Sequence, residues 1–371
     1  MQADQAMTHV SWIPAHPVYG SVSMLRYWKL LEAAARRDDP FACTPVLSAT
    51  ADDLAHQGGK VGKLLTRQVF YPARVRLLAR GKIVHILDHS WADLLPFAPR
   101  GALKVVTVHD LIPLRFPGEL NAAQAGRFAR WVGHLKEADA VIAVSEYTKR
   151  EVIELLGIED RKVHVVLNGV EMPGDSPSCS DAPHDTAGPF RIGSIGSTLE
   201  RKNLAVLPEA LARLQTAVRR KVVLVRVGAA LPAPMAAALR KTLGEDGLIE
   251  LGRLPDEALS DYYAGLDVVV VPSLYEGFGL PVIEAMAARV PVVASRRTSL
   301  PEVGGDVAFY FDPKSPEELA VVLAGIATGG VSRERIEEGH QRAKGLSWRK
   351  CLEGVYQVYA GLLEEKTGKG R

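Results

Sequence analysis

Residues Asp267-Val-Val-Val-Val271-Pro272-Ser-Leu-Tyr-Glu276-Gly277-Phe278-Gly279-Leu280-Pro281-Val-Ile-Glu284-Ala-Met286 decide how this chain folds. The valine run is continuous rather than alternating, as in a strand buried on both faces of a parallel sheet. The two glycines permit a tight loop whose backbone faces a ligand. Pro281 suits the first helical turn, where its missing N–H costs nothing. A helix starting near Leu280 leaves first-turn amides open, and such amides attract phosphate. Glu276 lies before that helix and Glu284 about one turn inside it, so both carboxylates can face one cavity and accept hydrogen bonds from sugar hydroxyls. The helix dipole would favour an acid at Glu284 by itself. The coincidence of Glu-x7-Glu with Gly-Phe-Gly-x-Pro points to a site.

Outward from this stretch, similar β-rich runs alternate with helical ones. Candidate strands are 8–13, 83–87, 104–108, 140–144 and 163–167, then 190–195, 222–227, 248–251, 267–271, 291–294 and 307–311; helices are expected between them, as over 203–219, 256–265 and 316–327. The alternation predicts doubly wound α/β layers. Residues 173–189 hold four Pro, three Ser, three Asp and two Gly, and read as an exposed linker. Two Rossmann-like parallel-sheet domains facing a cleft are therefore expected, over 1–172 and 190–345. A helix in 346–371, apolar at 348, 352, 355, 358, 359, 362 and 363, packs on the second domain or crosses back to the first.

Ligands of open parallel sheets bind beyond the carboxyl ends of the strands. After the 190–195 strand comes Gly196-Ser197-Thr-Leu-Glu-Arg201-Lys202-Asn203, whose two cations at a strand-to-helix turn suit a diphosphate. After 104–108 comes His109-Asp110-Leu-Ile-Pro113, with a histidine able to hold a sugar hydroxyl or a phosphate oxygen. Gly20-Ser21 follows the first strand as a sparse glycine loop. The sequence has no Gly-x-Gly-x-x-Gly, no Gly-Lys-Ser/Thr loop and no metal-binding motif, so no metal or cofactor is expected.

Composition bounds the remaining classes. The chain has 371 residues, 47% of them apolar and 24% charged, enough to bury two cores. The 45 Lys and Arg against 43 Asp and Glu leave a net charge of +2, no case for nucleic acid. Three unpaired-looking cysteines and the lack of an export signal or an apolar span lead us to expect a cytoplasmic protein. Between Asp53 and Asp88 lie seven basic residues and no acid: Lys60, Lys63, Arg67, Arg74, Arg76, Arg80 and Lys82, with Phe70 and Tyr71 among them. A face of this kind (60–82) suits an anionic membrane surface on the inner side of the cytoplasmic membrane; a solvated basic helix face would look the same.

The chain resembles the family-4 retaining glycosyltransferases of the GT-B fold along nearly its whole length. Glu276-Gly-Phe-Gly-Leu-Pro-Val-Ile-Glu284 carries the resemblance. Support comes from Thr107-Val-His109-Asp110-Leu-Ile-Pro113, Ala138–Thr148, Val166-Leu-Asn168-Gly169-Val170 and Arg201-Lys202-Asn203. It implies that Glu276 binds donor-sugar hydroxyls, that Glu284 binds the ribose and that Lys202 with Arg201 holds the diphosphate. The amides of Gly277, Phe278, Gly279 and Leu280 would complete the phosphate cradle, and His109 would reach the sugar or phosphate from the other domain. Arg253 and Leu254, in Leu251-Gly252-Arg253-Leu254, would lie at the nucleobase. Two departures stand out. The first-domain glycine loop shrinks to Gly20-Ser21, and Ser197 stands where many members carry Arg.

The implied activity is metal-independent transfer of a sugar, with retention, from a nucleotide-diphosphate sugar to a glycan or lipid-linked acceptor in bacterial surface-polysaccharide (lipopolysaccharide) synthesis. The HDLIPLRFP and RKN stretches look most like mannosyltransferases, which suggests GDP-mannose. A GT-B-like sugar-nucleotide epimerase and a non-catalytic sugar-binding protein are the alternatives.

Overall fold

A computed structural model describes residues 8–17, 22–36, 39–46, 59–173 and 188–368. The chain divides into two compact units, Met1–Gly169 with Trp348–Arg371, and Val170–Ser347. The boundary thus precedes the Pro-rich stretch. Val170 bridges to Ser347 and donates its N–H to Leu346 O at 2.8 Å, which ties residue 170 to the second unit. Of the 173–189 stretch read as a linker, residues 174–187 lie outside the described residues.

The first unit holds six parallel strands: β1 (Thr8–Ile13), β2 (Phe41–Pro45), β3 (Ile83–Ile86), β4 (Leu103–Val108), β5 (Ala140–Ala143) and β6 (Val163–Val165). Their order is β2-β1-β3-β4-β5-β6, so the winding reverses between β1 and β3. β2 is absent from the sequence expectation. It is a short edge strand, Phe-Ala-Cys-Thr-Pro, mostly half-buried and without the Val/Ile run of its neighbours. The C-terminal helix Trp348–Thr367 belongs to this unit. Its apolar face packs with Val10, Trp12, Tyr27, Leu31 and Ile83, and the burial extends to Cys351 and Tyr356 beyond the positions read from the sequence. Arg349 anchors its first turn to Asp39 at 2.8 Å.

The second unit holds β7 (Phe190–Gly196), β8 (Val222–Gly228), β9 (Leu248–Glu250), β10 (Val268–Val271), β11 (Val292–Ser295) and β12 (Phe309–Phe311), again all parallel. The order β12-β11-β10-β7-β8-β9 reverses between β10 and β7. Leu, Val and Ile side chains of Leu207–Ala217, Ala233–Leu243 and Pro316–Gly329 cover one face of the sheet. The helix expected from residue 203 begins only at Leu207. Two short 3-10 turns precede it, because Asn203 takes a left-handed conformation (φ 51°) and its side-chain amide donates to Pro272 O at 3.1 Å and Pro313 O at 2.8 Å. Asparagine tolerates that conformation better than most residues.

Candidate active site

The reversal between β10 and β7 places the loops after these two strands side by side at their carboxyl ends, where open α/β sheets bind ligands. The loop after β7 carries Gly196, Ser197, Arg201 and Lys202; the loop after β10 carries Ser273 to Gly279. They are joined through the main chain by Leu274 N–H donating to Arg201 O at 2.7 Å.

Lys202 Nζ meets Glu276 Oε1 at 2.5 Å, and Ser273 Oγ donates to the same oxygen at 2.7 Å. Glu276 is buried. Burial pushes its carboxyl up, but the Lys202 charge, the hydrogen bonds from Lys202 and Ser273 and the Arg201 charge outweigh this and hold it below the usual carboxylate range. Its backbone is also fixed. Glu276 N–H donates to Thr298 Oγ1 at 3.0 Å, and Ser299 Oγ reaches Glu276 O at 2.9 Å and Phe278 O at 2.8 Å. The ionised carboxylate is therefore held ready to accept.

Gly279 caps the helix Leu280–Ala287 with φ 100° and ψ 50°, and the cap makes no side-chain hydrogen bond. A Cβ there would lie 2.7 Å from Leu300 Cδ2, so glycine is required by both conformation and space. Val282 N–H donates to Gly279 O at 3.0 Å, while the cap offers no side-chain acceptor to the first turn, where the positive end of the helix dipole lies. One turn inside, Glu284 accepts from Tyr263 Oη at 2.8 Å.

Beneath the β7 turn lies Arg226 of β8, which is 1% exposed. Its guanidinium donates to Gly196 O at 2.8 Å, Ser197 O at 3.3 Å, Ala229 O at 3.4 Å and Ser194 Oγ at 3.3 Å. At the end of the same strand, Gly228 (φ 124°) lies so close to Gly196 that a Cβ would meet Gly196 O at 2.1 Å. Gly228 N–H donates to Gly252 O at 2.7 Å, which brings Arg253 and Leu254 beyond β9 to the same end of the sheet.

In the first unit His109 follows β4 and is buried. Its Nε2–H donates to Leu87 O at 2.8 Å, which leaves Nδ1 as an acceptor. Burial lowers its pKa, as does the nearby His89, against the opposing charge of Asp88, so the ring is neutral at pH 7. Gly20 and Ser21 lie outside the described residues.

Two family models match the chain, "Glycosyltransferase Family 4" over residues 29–172 and "Glycosyl transferases group 1" over residues 182–342. The MMP alpha-(1->4)-mannosyltransferase of Mycolicibacterium hassiacum is 30% identical over 306 residues, 77% of this chain and 72% of that protein. The chain belongs to the family-4 glycosyltransferases. This glycosyltransferase is also similar to O-antigen chain mannosyltransferase B of Escherichia coli, 28% identical over 336 residues, 85% of this chain and 86% of that protein. Two solved structures share its two-domain GT-B fold at 18% identity. Sucrose-phosphate synthase from Thermosynechococcus elongatus has a TM-score of 0.69 and covers 96% of this chain and 100% of its own. Anabaena HepE in complex with UDP and glucose has a TM-score of 0.71, with 95% and 99% covered.

The candidate site thus gathers Lys202, Arg201, Glu276 and residues 277–280 in the second unit, with Glu284 one turn further on. His109 is described within the first unit. The sequence reading did not single out Arg226, Ser273, Thr298 and Ser299. Arg226 had a signal, a single charge inside the strand Val222-Val-Leu-Val-Arg-Val-Gly228; the three hydroxyls had none, being ordinary loop residues until the fold brings them to Glu276. Residues of the Ala138–Thr148 and HDLIPLRFP stretches have evident structural duties. Ser145 caps the helix Glu146–Leu156 by accepting from Thr148 N–H at 3.0 Å, and Arg115 pairs with buried Glu151 at 2.7 Å.

Proposed function

We propose that this glycosyltransferase moves mannose from GDP-mannose, with retention and without a metal, to a glycan or lipid-linked acceptor in bacterial surface-polysaccharide synthesis. It would act in the cytoplasm, peripherally bound to the inner membrane face through the basic stretch 60–82. The donor sugar is suggested by the two mannosyltransferase relatives. The observation that carries the reading is the Lys202–Glu276 pair in the loop leading to the N-terminus of the Leu280 helix, at the switch point of the second sheet.

In the transfer, the bond from the anomeric carbon to the diphosphate oxygen breaks, and one to the acceptor oxygen forms on the same face. The acceptor's hydroxyl proton goes to the departing phosphate. Negative charge grows on the leaving group, and fixed cations and amide dipoles aimed at it lower the barrier, each by on the order of 3 kcal/mol. Lys202, Arg201 and the amides of 277–280 supply that field. Once the diphosphate takes Lys202, a Glu276 oxygen is released for a sugar hydroxyl; Glu284 serves the ribose and the 251–254 loop the base. His109, with Nδ1 as its open acceptor, suits a sugar hydroxyl rather than a phosphate oxygen. The two glutamates act as hydroxyl acceptors, not as the acid and nucleophile of a glycosidase.

The test is a panel of nucleotide sugars assayed for acceptor-dependent nucleotide release, with and without EDTA. GDP-mannose should lead the panel and EDTA should leave the rate unchanged. Preference for a uridine donor would overturn the choice of donor. Turnover of the sugar nucleotide without any acceptor would overturn the transfer reading.

A further inference from the structure

The helical segment Gly59–Leu78 of the first unit turns Gly62, Thr66, Tyr71, Val75 and the following Ala79 inward. The steps are four, five, four and four residues. The step of five falls on a π-turn at Thr66–Phe70, whose extra residue lets both flanking helices keep one face on the core. Tyr71 Oη donates to Pro14 O and pins the segment there.

The other face is apolar and exposed. Val61, Leu64, Leu65, Val69, Phe70, Leu77 and Leu78 are 42% to 71% exposed, and they are seven of the eleven large apolar side chains exposed among the described residues. Scattered single exposures are ordinary, but seven on one segment form a patch of the kind that marks an interaction surface. Exposed Lys60, Lys63 and Arg76 lie among them, and no acid does. Such a surface suits the boundary of an anionic bilayer, where apolar side chains enter the acyl region and cations meet phosphate.

Beside this segment opens a cavity of about 1010 Å³ lying wholly within the first unit. Its walls include Leu64, Phe97, Leu120, Phe128 and Trp131, and its basic groups include Lys60, Lys63, Arg127 and Arg130. Among the described residues its one carboxylate is Asp93, which pairs with Arg67 at 2.9 Å, and the Arg67 guanidinium stacks 3.6 Å from the Trp131 ring centre. The site is apolar within and cationic in sum, the complement of a phosphate carried on a hydrocarbon chain. Leu64 and Lys63 belong to both the cavity and the exposed segment, so an amphiphile lying in the bilayer reaches the cavity without leaving it.

We propose that the Gly59–Leu78 face seats the first unit on an anionic bilayer and that the adjoining cavity receives the phosphate-bearing head of a lipid from it. The inference deepens the acceptor half of the proposed function and rests on it for the lipid's role as acceptor, but its test needs no donor.

Two measurements decide it. The protein should sediment with vesicles of about 30% phosphatidylglycerol in phosphatidylcholine at least about tenfold more than with phosphatidylcholine alone. The paired substitution Leu64→Ser and Leu77→Ser, at exposed positions, should remove most of that binding. Dihexanoyl phosphatidic acid, kept below its micelle concentration, should bind by calorimetry at least about tenfold tighter than inorganic phosphate, and Arg127→Glu with Arg130→Glu should weaken it by about tenfold. Equal binding to both vesicle types, or inorganic phosphate binding as tightly as the amphiphile, would overturn the proposal. Either result alongside intact GDP-mannose turnover on a soluble acceptor would overturn this inference alone.

Discussion

Lys202 and Glu276, 74 positions apart in sequence, share a 2.5 Å ion pair across the loops of β7 and β10, with side chains only 15% and 11% exposed. Neither side chain can be deleted without leaving the other charged and partly desolvated. Lys202→Ala removes a diphosphate cation, and Glu276→Ala removes the sugar acceptor and the anion that positions Lys202. Each should lower kcat/KM at least about tenfold while circular dichroism stays native. The double variant should lose less than the product of the two singles, because both disable one unit. Near-normal turnover in either single variant would reject the site.

The Arg226 guanidinium reaches the carbonyls of Gly196 and Ser197 from below the turn that precedes Lys202. Burial lowers its pKa, and an arginine guanidinium keeps its proton in proteins. Among the described residues it has no carboxylate within ion-pair distance, so its field is not cancelled at contact range and adds to that of Lys202 and Arg201. Arg226→Met keeps most of the volume but removes both the charge and the hydrogen bonds. GDP affinity should fall by about tenfold while guanosine affinity holds, since only the diphosphate meets the lost field. Equal losses for both ligands would mean that Arg226 serves the fold alone.

Gly279 tests whether the amide cradle matters. Alanine there must hold a left-handed conformation, at about 1–2 kcal/mol, and its Cβ meets Leu300 Cδ2 at 2.7 Å. Gly279→Ala should lower stability and nucleotide-diphosphate affinity together. Adding Leu300→Ala removes the clash but not the backbone strain, so nucleotide binding should recover only in part. Full recovery of binding in the double variant would show that the loop tolerates the change and that the cradle is not set by Gly279.

What the sequence revealed depended on how local each feature is. Eleven of the twelve strands announce themselves in the sequence, most as runs rich in Val and Ile, and the missing one, β2, is a half-buried edge strand where packing rather than propensity decides. Lys202, Glu276 and Gly279 were legible because strand, turn and helix signals abut there within a few residues. Ser273, Thr298, Ser299 and Arg226 act through partners between 3 and 32 positions away, and their roles come from the strand order. The destination of the C-terminal helix was equally hidden. An apolar stripe says that a helix packs, and only Tyr359 against Trp12 and His85 says where.

That last contact sets a pH dependence. Trp12 Nε1–H donates to Tyr359 Oη at 2.9 Å, so the Tyr359 hydroxyl proton points to His85 Nδ1 at 2.6 Å, and His85 Nε2–H donates to Thr107 Oγ1 at 2.8 Å. Every ring position is committed with His85 neutral. Burial, helped by the charge of His109, pushes its pKa down to about 3. The unfolded chain protonates this histidine below about pH 6.5 whereas the folded chain does not, so stability is lost as pH falls through that window. Between pH 6.5 and 5, His85 alone should cost about 2 kcal/mol, and His109, whose pKa is also lowered, adds in the same direction. Glu276 does not enter in this range: its contribution is present above the usual carboxylate value and is lost only as the pH falls through its lowered one. Urea unfolding followed from pH 7 to pH 5 should therefore show a steady decline. His85→Gln, which keeps a donor and an acceptor but cannot titrate, should be less stable at pH 7 and decline about one proton's worth less steeply. Parallel profiles for the two proteins would show that His85 already carries its proton in the folded state.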